Sequence, residues 1–562
     1  MASIGAFTFV LHSHLPYARL AGRWPHGEEW IHEAASETYI PLLNALYALK
    51  ADKVPARLTI GLTPILVEQL ADDDVKDHLD SYLDEKIAAA KLDVERFEED
   101  QDPHMTYLAT FYADLFEQVK RDFDETYQRD MVGAFKKLQD DGMIEIITSA
   151  ATHGYLPLLA TDEAIYGQIK TGVESYKRHF GRAPRAIWLP ECAYRPAYFR
   201  EDGTVRPGIE RFLNELGISL FFSETHTIEG GQPVGVAAGD AIGPYGEIKR
   251  RYVIPVQAAI PVREASTFKP YYVSDTTAGQ KSEQHSGVAV IGRDNRTGMQ
   301  VWSGDWGYPG DYDYREFHKK DGVSGLQYWR VSGPRIDLAH KDVYHPDWAE
   351  YKVGEHARHF AWLASDRLKQ YHDETGEFGL IASNYDTELF GHWWFEGIEW
   401  LKQVLRLLAE DQAVEVTTAS DFIEEHPPKE VLHIPESSWG MGGNHWTWDN
   451  HDTHWMWGPI HQSETKMRAL ADKYDDPSED EEAVLNQAAR EALLLQSSDW
   501  PFLVTTGQAR EYAIRRFTRH VERFEALVDS LERGQPDRQL ADELYEVDKV
   551  FPGIDFRWFG SR

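Results

Sequence analysis

The chain has 562 residues, 42% of them hydrophobic and 27% charged, which excludes global disorder and leaves room for more than one domain. Asp and Glu total 93 against 58 Lys and Arg, a formal charge of −35, so nucleic acid and anionic membranes are repelled. Aromatic residues are abundant, with 18 Trp, 27 Tyr and 25 Phe, and an indole face either packs in a core or stacks on a sugar ring.

The first β-prone run, Ala6 to Leu11, ends in His12 and His14; these histidines and the lack of a basic leader argue against a signal peptide. A helical pattern over 31–50 leads to a second strand over 56–61 and Thr63. Residues 67–105 are acidic and predict a solvated helical insertion, and 107–140 continues helical. A strand over 144–148 leads to His153, a helix follows over 163–180, and a strand over 186–190 leads to Glu191. Another helix over 205–216 precedes a strand over 218–222 that ends at Ser223, Glu224 and His226. Residues 227–300 are rich in Gly, Pro, Thr and Ser and predict a long loop region covering a site. A helix over 354–375 leads to a strand over 380–383 and Asp386, and a last strand over 414–417 leads to Ser420 and Asp421. Beyond residue 425 the strand signal fades; 476–482 predicts an acidic linker, and 484–498 and 508–533 predict amphipathic helices. No apolar stretch reaches the ~18 residues of a membrane span. The lone Cys192 permits no intrachain disulfide, so the expected location is cytoplasmic.

Alternating strands and helices predict an α/β protein with a parallel sheet. Seven strands, each ending in polar residues, predict an incomplete barrel of the (β/α) type with its site at the carboxyl end. The expected organisation is a catalytic barrel over 1–425 with inserted segments and an α-helical domain over 426–562 that contributes to the substrate groove.

Glu191, in Trp-Leu-Pro-Glu-Cys-Ala-Tyr-Arg-Pro, and Asp386, in Asn-Tyr-Asp-Thr-Glu-Leu-Phe-Gly-His-Trp-Trp, both stand at strand ends among aromatics. A charge there is costly to bury without a partner or a task. Glu191 could pair with Arg195 and Asp386 could cap a helix; together they suit cleavage of a glycosidic bond, one carboxylate attacking and the other donating a proton. Trp393 and Trp394 supply apolar walls that would raise the acid's pKa.

Five segments resemble the five motifs of glycoside hydrolase family 57, in order: residues 12–17, 61–66, 188–194, 385–392 and 438–448. Within the family the resemblance is to the 1,4-α-glucan branching-enzyme group, through residues 498–502 and 506–508. It implies an incomplete (β/α)7 barrel with a helical C-terminal domain and a retaining mechanism that forms α-1,6 branches. Glu191 is then the nucleophile and Asp386 the general acid/base. The implied sugar contacts are His12, His14, Trp30, His153, Arg293, Trp302, Gly310, Trp439, Trp448, Asp499 and Gln508. A Tyr-Gly pair on a shielding loop falls at Tyr245 by alignment from Glu191 and at Ala265 by alignment from Arg293. The implied partner is an α-1,4-glucan such as amylose or a glycogen-like polysaccharide, with no cofactor and no metal. A monomer or small homo-oligomer is expected.

Other readings stay open on the residues alone. An α-amylase or 4-α-glucanotransferase would follow from a missing shielding tyrosine, because water then reaches the intermediate. His12-x-His14 also fits a metal-dependent barrel hydrolase, with His153, His226 and Asp421 as further ligands. A glucan-binding protein without activity is the non-enzymatic alternative.

Overall fold

The computed structural model describes residues 3–233, 255–277, 284–303, 306–333 and 336–562. Among these, seven parallel strands close a ring: β1 (Gly5–Ser13), β2 (Leu58–Leu62), β3 (Ile144–Ile147), β4 (Ala186–Ile187), β5 (Leu220–Ser223), β6 (His285–Gly292) and β7 (Gly379–Asp386). Registered pairs join β7–β1–β2–β3 and β4–β5–β6. The seams are a bridge between Thr148 and Ile187 and a bond from Asp294 N to Ala382 O of 2.9 Å.

β1 shows why such apolar runs become barrel strands. All nine of its residues are buried. Phe7, Phe9 and Leu11 pack outward against the helices, while Ala6 and Val10 pack inward. A strand covered on both faces needs no polar alternation, and the same alternation carries His12 to the inner side at its carboxyl end.

The seventh strand differs from expectation. Val414–Val416 pairs only with the amino end of β1, Gly5 lying opposite Val414, so it is no stave of the ring. That stave is β6, inside the region predicted as one loop over 227–300. Its first three residues, His285-Ser286-Gly287, are exposed or half-buried, and only the second half is an apolar run. Tyr271–Ser274 adds an antiparallel strand to it. Tyr245 lies outside the described residues. Ala265 packs against the core, and three residues on Phe268 O accepts Leu380 N at the amino end of β7 (2.7 Å). The residues on either side tie it to Glu229, just beyond the carboxyl end of β5: Arg263 N donates to Glu229 O and Thr267 N to Glu229 Oε1, both at 2.9 Å.

The acidic insertion is a helical hairpin of α1 (Asp73–Glu99) and α2 (Pro103–Arg121). Asp72 caps α1 through Val75 N, and Asp102 caps α2 ahead of Pro103. The helix predicted over 107–140 breaks after α2 and resumes as α3 (Met131–Asp140). Outside β1, α4 (Pro346–Thr375) and α5 (Gly397–Glu410) meet in an aromatic cluster. There Trp400, fully buried, packs on Phe9, Phe360, Phe390, Trp394 and Tyr308 at centroid distances of 4.9–6.0 Å. Trp400→Ala is expected to cost about 3–5 kcal/mol through lost contacts and a residual cavity. A lower urea midpoint at unchanged slope checks this.

The C-terminal helices are α6 (His454–Lys473), α7 (Glu479–Leu495), α8 (Asp499–Thr506), α9 (Arg510–Glu532) and α10 (Arg538–Val547). The stretch predicted as an acidic linker is partly the first turn of α7. Ser478 and Glu481 form a capping box, and Glu479 to Glu482 lie where the helix dipole favours negative charge. The helix bundle and the barrel interior share one apolar core. Among the described residues no helix is long and apolar enough to cross a membrane.

Candidate active site

A cavity of about 450 Å³ opens at the carboxyl end of the ring, between the barrel and the helices. Of the residues singled out in the sequence, Glu191, Asp386, His12, His14, Trp30, His153, Trp439, Asp499 and Gln508 line it.

Glu191 follows the two-residue β4 across Leu189-Pro190. Its φ of +60° and that of Cys192, +50°, are left-handed, an uncommon conformation for such residues. Neighbouring bonds hold this sharp turn: Cys192 N to Leu189 O at 2.8 Å and Trp439 N to Glu191 O at 3.1 Å. A strained residue over-determined by its surroundings marks a functional position. The carboxylate accepts from Trp439 Nε1 at 2.8 Å and from Ser498 Oγ at 3.0 Å. Burial raises its pKa and nearby Asp499 adds to this, while the Trp439 bond, His14 and Ser498 pull the other way. Arg195 is not its partner; that guanidinium donates to Pro196 O and Pro207 O.

Asp386 ends β7 in register with His12 of β1. It caps no helix through its side chain. Burial pushes its pKa well above the carboxylate range, the charges of Glu388 and Glu191 push further, and Arg293 opposes them. The cavity thus holds one carboxylate fastened by two donors and one carboxyl whose proton is favoured by burial and by its acidic neighbours.

Three histidines complete the floor. His12 Nε2 meets His153 Nε2 at 3.1 Å, and the His12 ring stacks on Trp188 at 4.9 Å. His153 Nδ1 meets Ser498 Oγ at 2.9 Å. Burial and the neighbouring histidines lower both pKa values, so both rings are neutral. His14 is the exception: burial opposes its charge, but Asp499, 3.0 Å away, leaves it raised. His14, His153 and Asp499 could supply three ligand atoms to a metal. In this structure both ring nitrogens of His14 and of His153 are already hydrogen-bonded. The other ligands of the metal-hydrolase reading are elsewhere: Asp421 pairs with Arg185 at 2.9 Å, and His226 does not line the cavity.

Four expected sugar contacts do not line this cavity. Trp302 and Trp448 are each 1% exposed; Trp448 stacks on Tyr155 at 4.3 Å, and Trp302 sits in the outer core near Tyr385. Neither offers a free face to a sugar. Gly310 ends a short turn, and a Cβ there would meet no other protein atom. Arg293 is buried against Glu224 at 2.7 Å and reaches Asp386 only through its charge. Of the two predicted walls, Trp393 lines the cavity, whereas Trp394 turns into the core beside Trp400.

The sequence reading missed Ser498, Glu388 and Phe317. Glu388 lines the cavity, accepts from Tyr39 OH and His14 N, and burial pushes its pKa up to about 7. Its place two residues after Asp386 was the available signal. Phe317 comes from a stretch with no motif and carried none.

A closed parallel barrel with two carboxyl groups in different surroundings, both in one aromatic cavity, defines a barrel enzyme of glycosidic-bond chemistry. The chain belongs to glycosyl hydrolase family 57, whose profile matches residues 8–435. Residues 459–559 match the profile described as 1,4-alpha-glucan branching enzyme, C-terminal. A 1,4-alpha-glucan branching enzyme of Thermococcus kodakarensis is 43% identical over 97% of this chain and 77% of its own. Its crystal structure superposes with a TM-score of 0.87 at 41% identity, covering 100% of this chain and 97% of the other. An alpha-amylase of Thermotoga maritima has a TM-score of 0.80 at 30% identity, covering 99% of both chains.

Proposed function

We propose that the protein is a 1,4-α-glucan branching enzyme acting by retention on amylose-like or glycogen-like chains. The observation that carries this reading is the pair in one cavity, Glu191 fastened by two donors and Asp386 buried with its pKa pushed up. The helical region over 459–559, which supplies Asp499 and Gln508 to the cavity wall, supports branching within the family.

In the first step a Glu191 oxygen attacks C1 of an α-1,4-linked glucose. The C1–O4 bond breaks, and Asp386 gives its proton to the departing O4. In the second step the 6-hydroxyl of a glucan chain attacks C1 of the glycosyl ester. Asp386, now a carboxylate, takes the hydroxyl proton; an α-1,6 bond forms and Glu191 is released. Water can attack the same ester, so the product ratio is set by how well the covered site excludes it. Trp439 and Trp30 offer indole surface in the cavity, and Asp499 and Gln508 offer hydrogen bonds to hydroxyls. Neither step calls for a cofactor. A neutral polysaccharide needs no electrostatic attraction, which suits a chain of charge −35.

The test is incubation with amylose, counting α-1,6 linkages by debranching against new reducing ends. The expected result is α-1,6 linkages in excess. Reducing ends without α-1,6 linkages would instead establish the second reading, α-amylase activity, which the Thermotoga maritima likeness keeps in play.

A further inference from the structure

We propose that Ser498, supplied by the helical domain, is a positioning residue that fixes the Glu191 carboxylate through a one-way chain of hydrogen bonds from His12 and His153. The proposal rests on the reading of Glu191 as the nucleophile.

The chain runs His12 Nε2 to His153 Nε2 (3.1 Å), His153 Nδ1 to Ser498 Oγ (2.9 Å) and Ser498 Oγ to Glu191 Oε1 (3.0 Å). All four residues are at least nine-tenths buried. A serine hydroxyl has one proton to give, and a neutral imidazole has one N–H and one lone pair. Only two proton orders give every hydrogen an acceptor within the chain. In one, His12 donates to His153, His153 donates to Ser498, and Ser498 donates to Glu191. In the other, every proton is reversed, Glu191 must be protonated, and His12 must carry its hydrogen on Nδ1.

The far end of the chain decides between them. His12 Nδ1 is buried and, among the described residues, has no hydrogen-bond partner. It packs beside Gly61, where a Cβ would stand 3.6 Å from it. A hydrogen there would be an orphaned buried donor, which proteins rarely tolerate and which costs the full desolvation of the group. An unused lone pair costs less. The first order stands, and it ends with a hydrogen aimed at Glu191 Oε1. Trp439 Nε1 donates to the other oxygen, so both donors on the nucleophile come from beyond residue 425.

The geometry is fixed by more than the chain itself. Ser498 N donates to His153 O at 3.0 Å, so one serine engages both backbone and ring of His153. His153 holds a left-handed φ of +58°, and its ring lies stacked on His14 with centroids 3.8 Å apart. The His12 ring is held flat on Trp188. Neither imidazole is free to turn and break the order.

A hydrogen bond to a carboxylate favours its ionised form and fixes its direction of attack. Loss of the Ser498 hydroxyl should therefore slow the attack without weakening substrate binding. The other charged groups facing Glu191, namely His14, Asp499 and Asp386, are untouched by that change. In Ser498→Ala, kcat on amylose is expected to fall about 10- to 100-fold, the loss for one charge-assisted bond. KM and melting temperature should stay near wild type. The acid limb of the kcat/KM profile should move to higher pH, because the ionised nucleophile has lost a donor.

His153→Phe should reproduce the kcat loss, and the double variant should lose little more, since both cut one chain. Wild-type kcat and an unmoved acid limb in Ser498→Ala would overturn the proposal. So would losses that multiply in the double variant. The proposal is read from variant-to-wild-type ratios of α-1,4 cleavage. Whether the wild type forms α-1,6 bonds is read separately, so failure of the branching assignment leaves this test intact.

Discussion

Glu191→Ala should leave a folded protein whose rate on amylose is down on the order of 10⁴-fold or more, the scale seen when a covalent nucleophile is deleted. Among the described residues Glu191 makes no ion pair with Arg or Lys, and its left-handed φ of +60° is strained for glutamate and alanine alike. The near-ultraviolet spectrum should therefore be that of a folded protein, and the melting temperature should fall only modestly, since Trp439 Nε1 and Ser498 Oγ lose their acceptor. The variant also permits a test of role that loss of rate cannot give. Removing the carboxylate leaves a gap on the face of the sugar from which it attacked. Azide can enter there and displace an activated leaving group such as the fluoride of α-maltosyl fluoride. A single displacement inverts configuration, so the product should be the β-maltosyl azide. Recovery of the α-azide would show that an enzyme nucleophile still acts, and Glu191 would lose its assignment.

Much of this site is legible in the sequence, and the reasons are local. β1, β2 and β7 are buried on both faces, so each is mostly apolar, interrupted inside only by small or neutral polar residues such as Thr8, Thr59 and Ser383, and the polar residues at its end mark the cavity rim. That is how His12, Glu191 and Asp386 could be found. β6 escaped because its first residues are polar and at least partly exposed, within a Gly-rich stretch. Val414–Val416 took its place because a short apolar run does not reveal which neighbour it pairs with. The aromatic contacts separated for a similar reason. Trp439 and Trp30 reach the cavity while Trp302 and Trp448 face the core, and sequence motifs carry no information on which way a ring points. Ser498 stood in plain view beside Asp499, but its meaning lies in Glu191, 307 residues away.

Asp386→Asn should separate the two chemical steps and at the same time stabilise the fold. An amide of the same shape cannot give a proton to O4, so cleavage of amylose should fall on the order of 10³-fold or more, as for loss of general acid catalysis with the later base step. Fluoride departs without a proton, so α-maltosyl fluoride should still load Glu191. The second step lacks its base, and a burst of fluoride followed by a slow phase is expected. Azide needs no base and should restore turnover, giving the α-azide by a second inversion on the glycosyl enzyme. The stability effect follows from the direction of the pKa shift. Burial, then Glu388 and Glu191, hold the folded Asp386 carboxyl well above its unfolded value. Below an unfolded pKa of about 3.9 both states are protonated and the group costs nothing. As pH rises above that, the unfolded chain releases its proton while the folded chain keeps it, and stability falls until the folded pKa is passed. Asn carries no such burden. The variant should therefore melt above wild type at pH 7, with the gap closing as the pH is lowered toward 4. A variant that melts lower at pH 7 would mean that Asp386 is ionised and stabilising in the resting enzyme, and it could then not be the acid that opens the reaction.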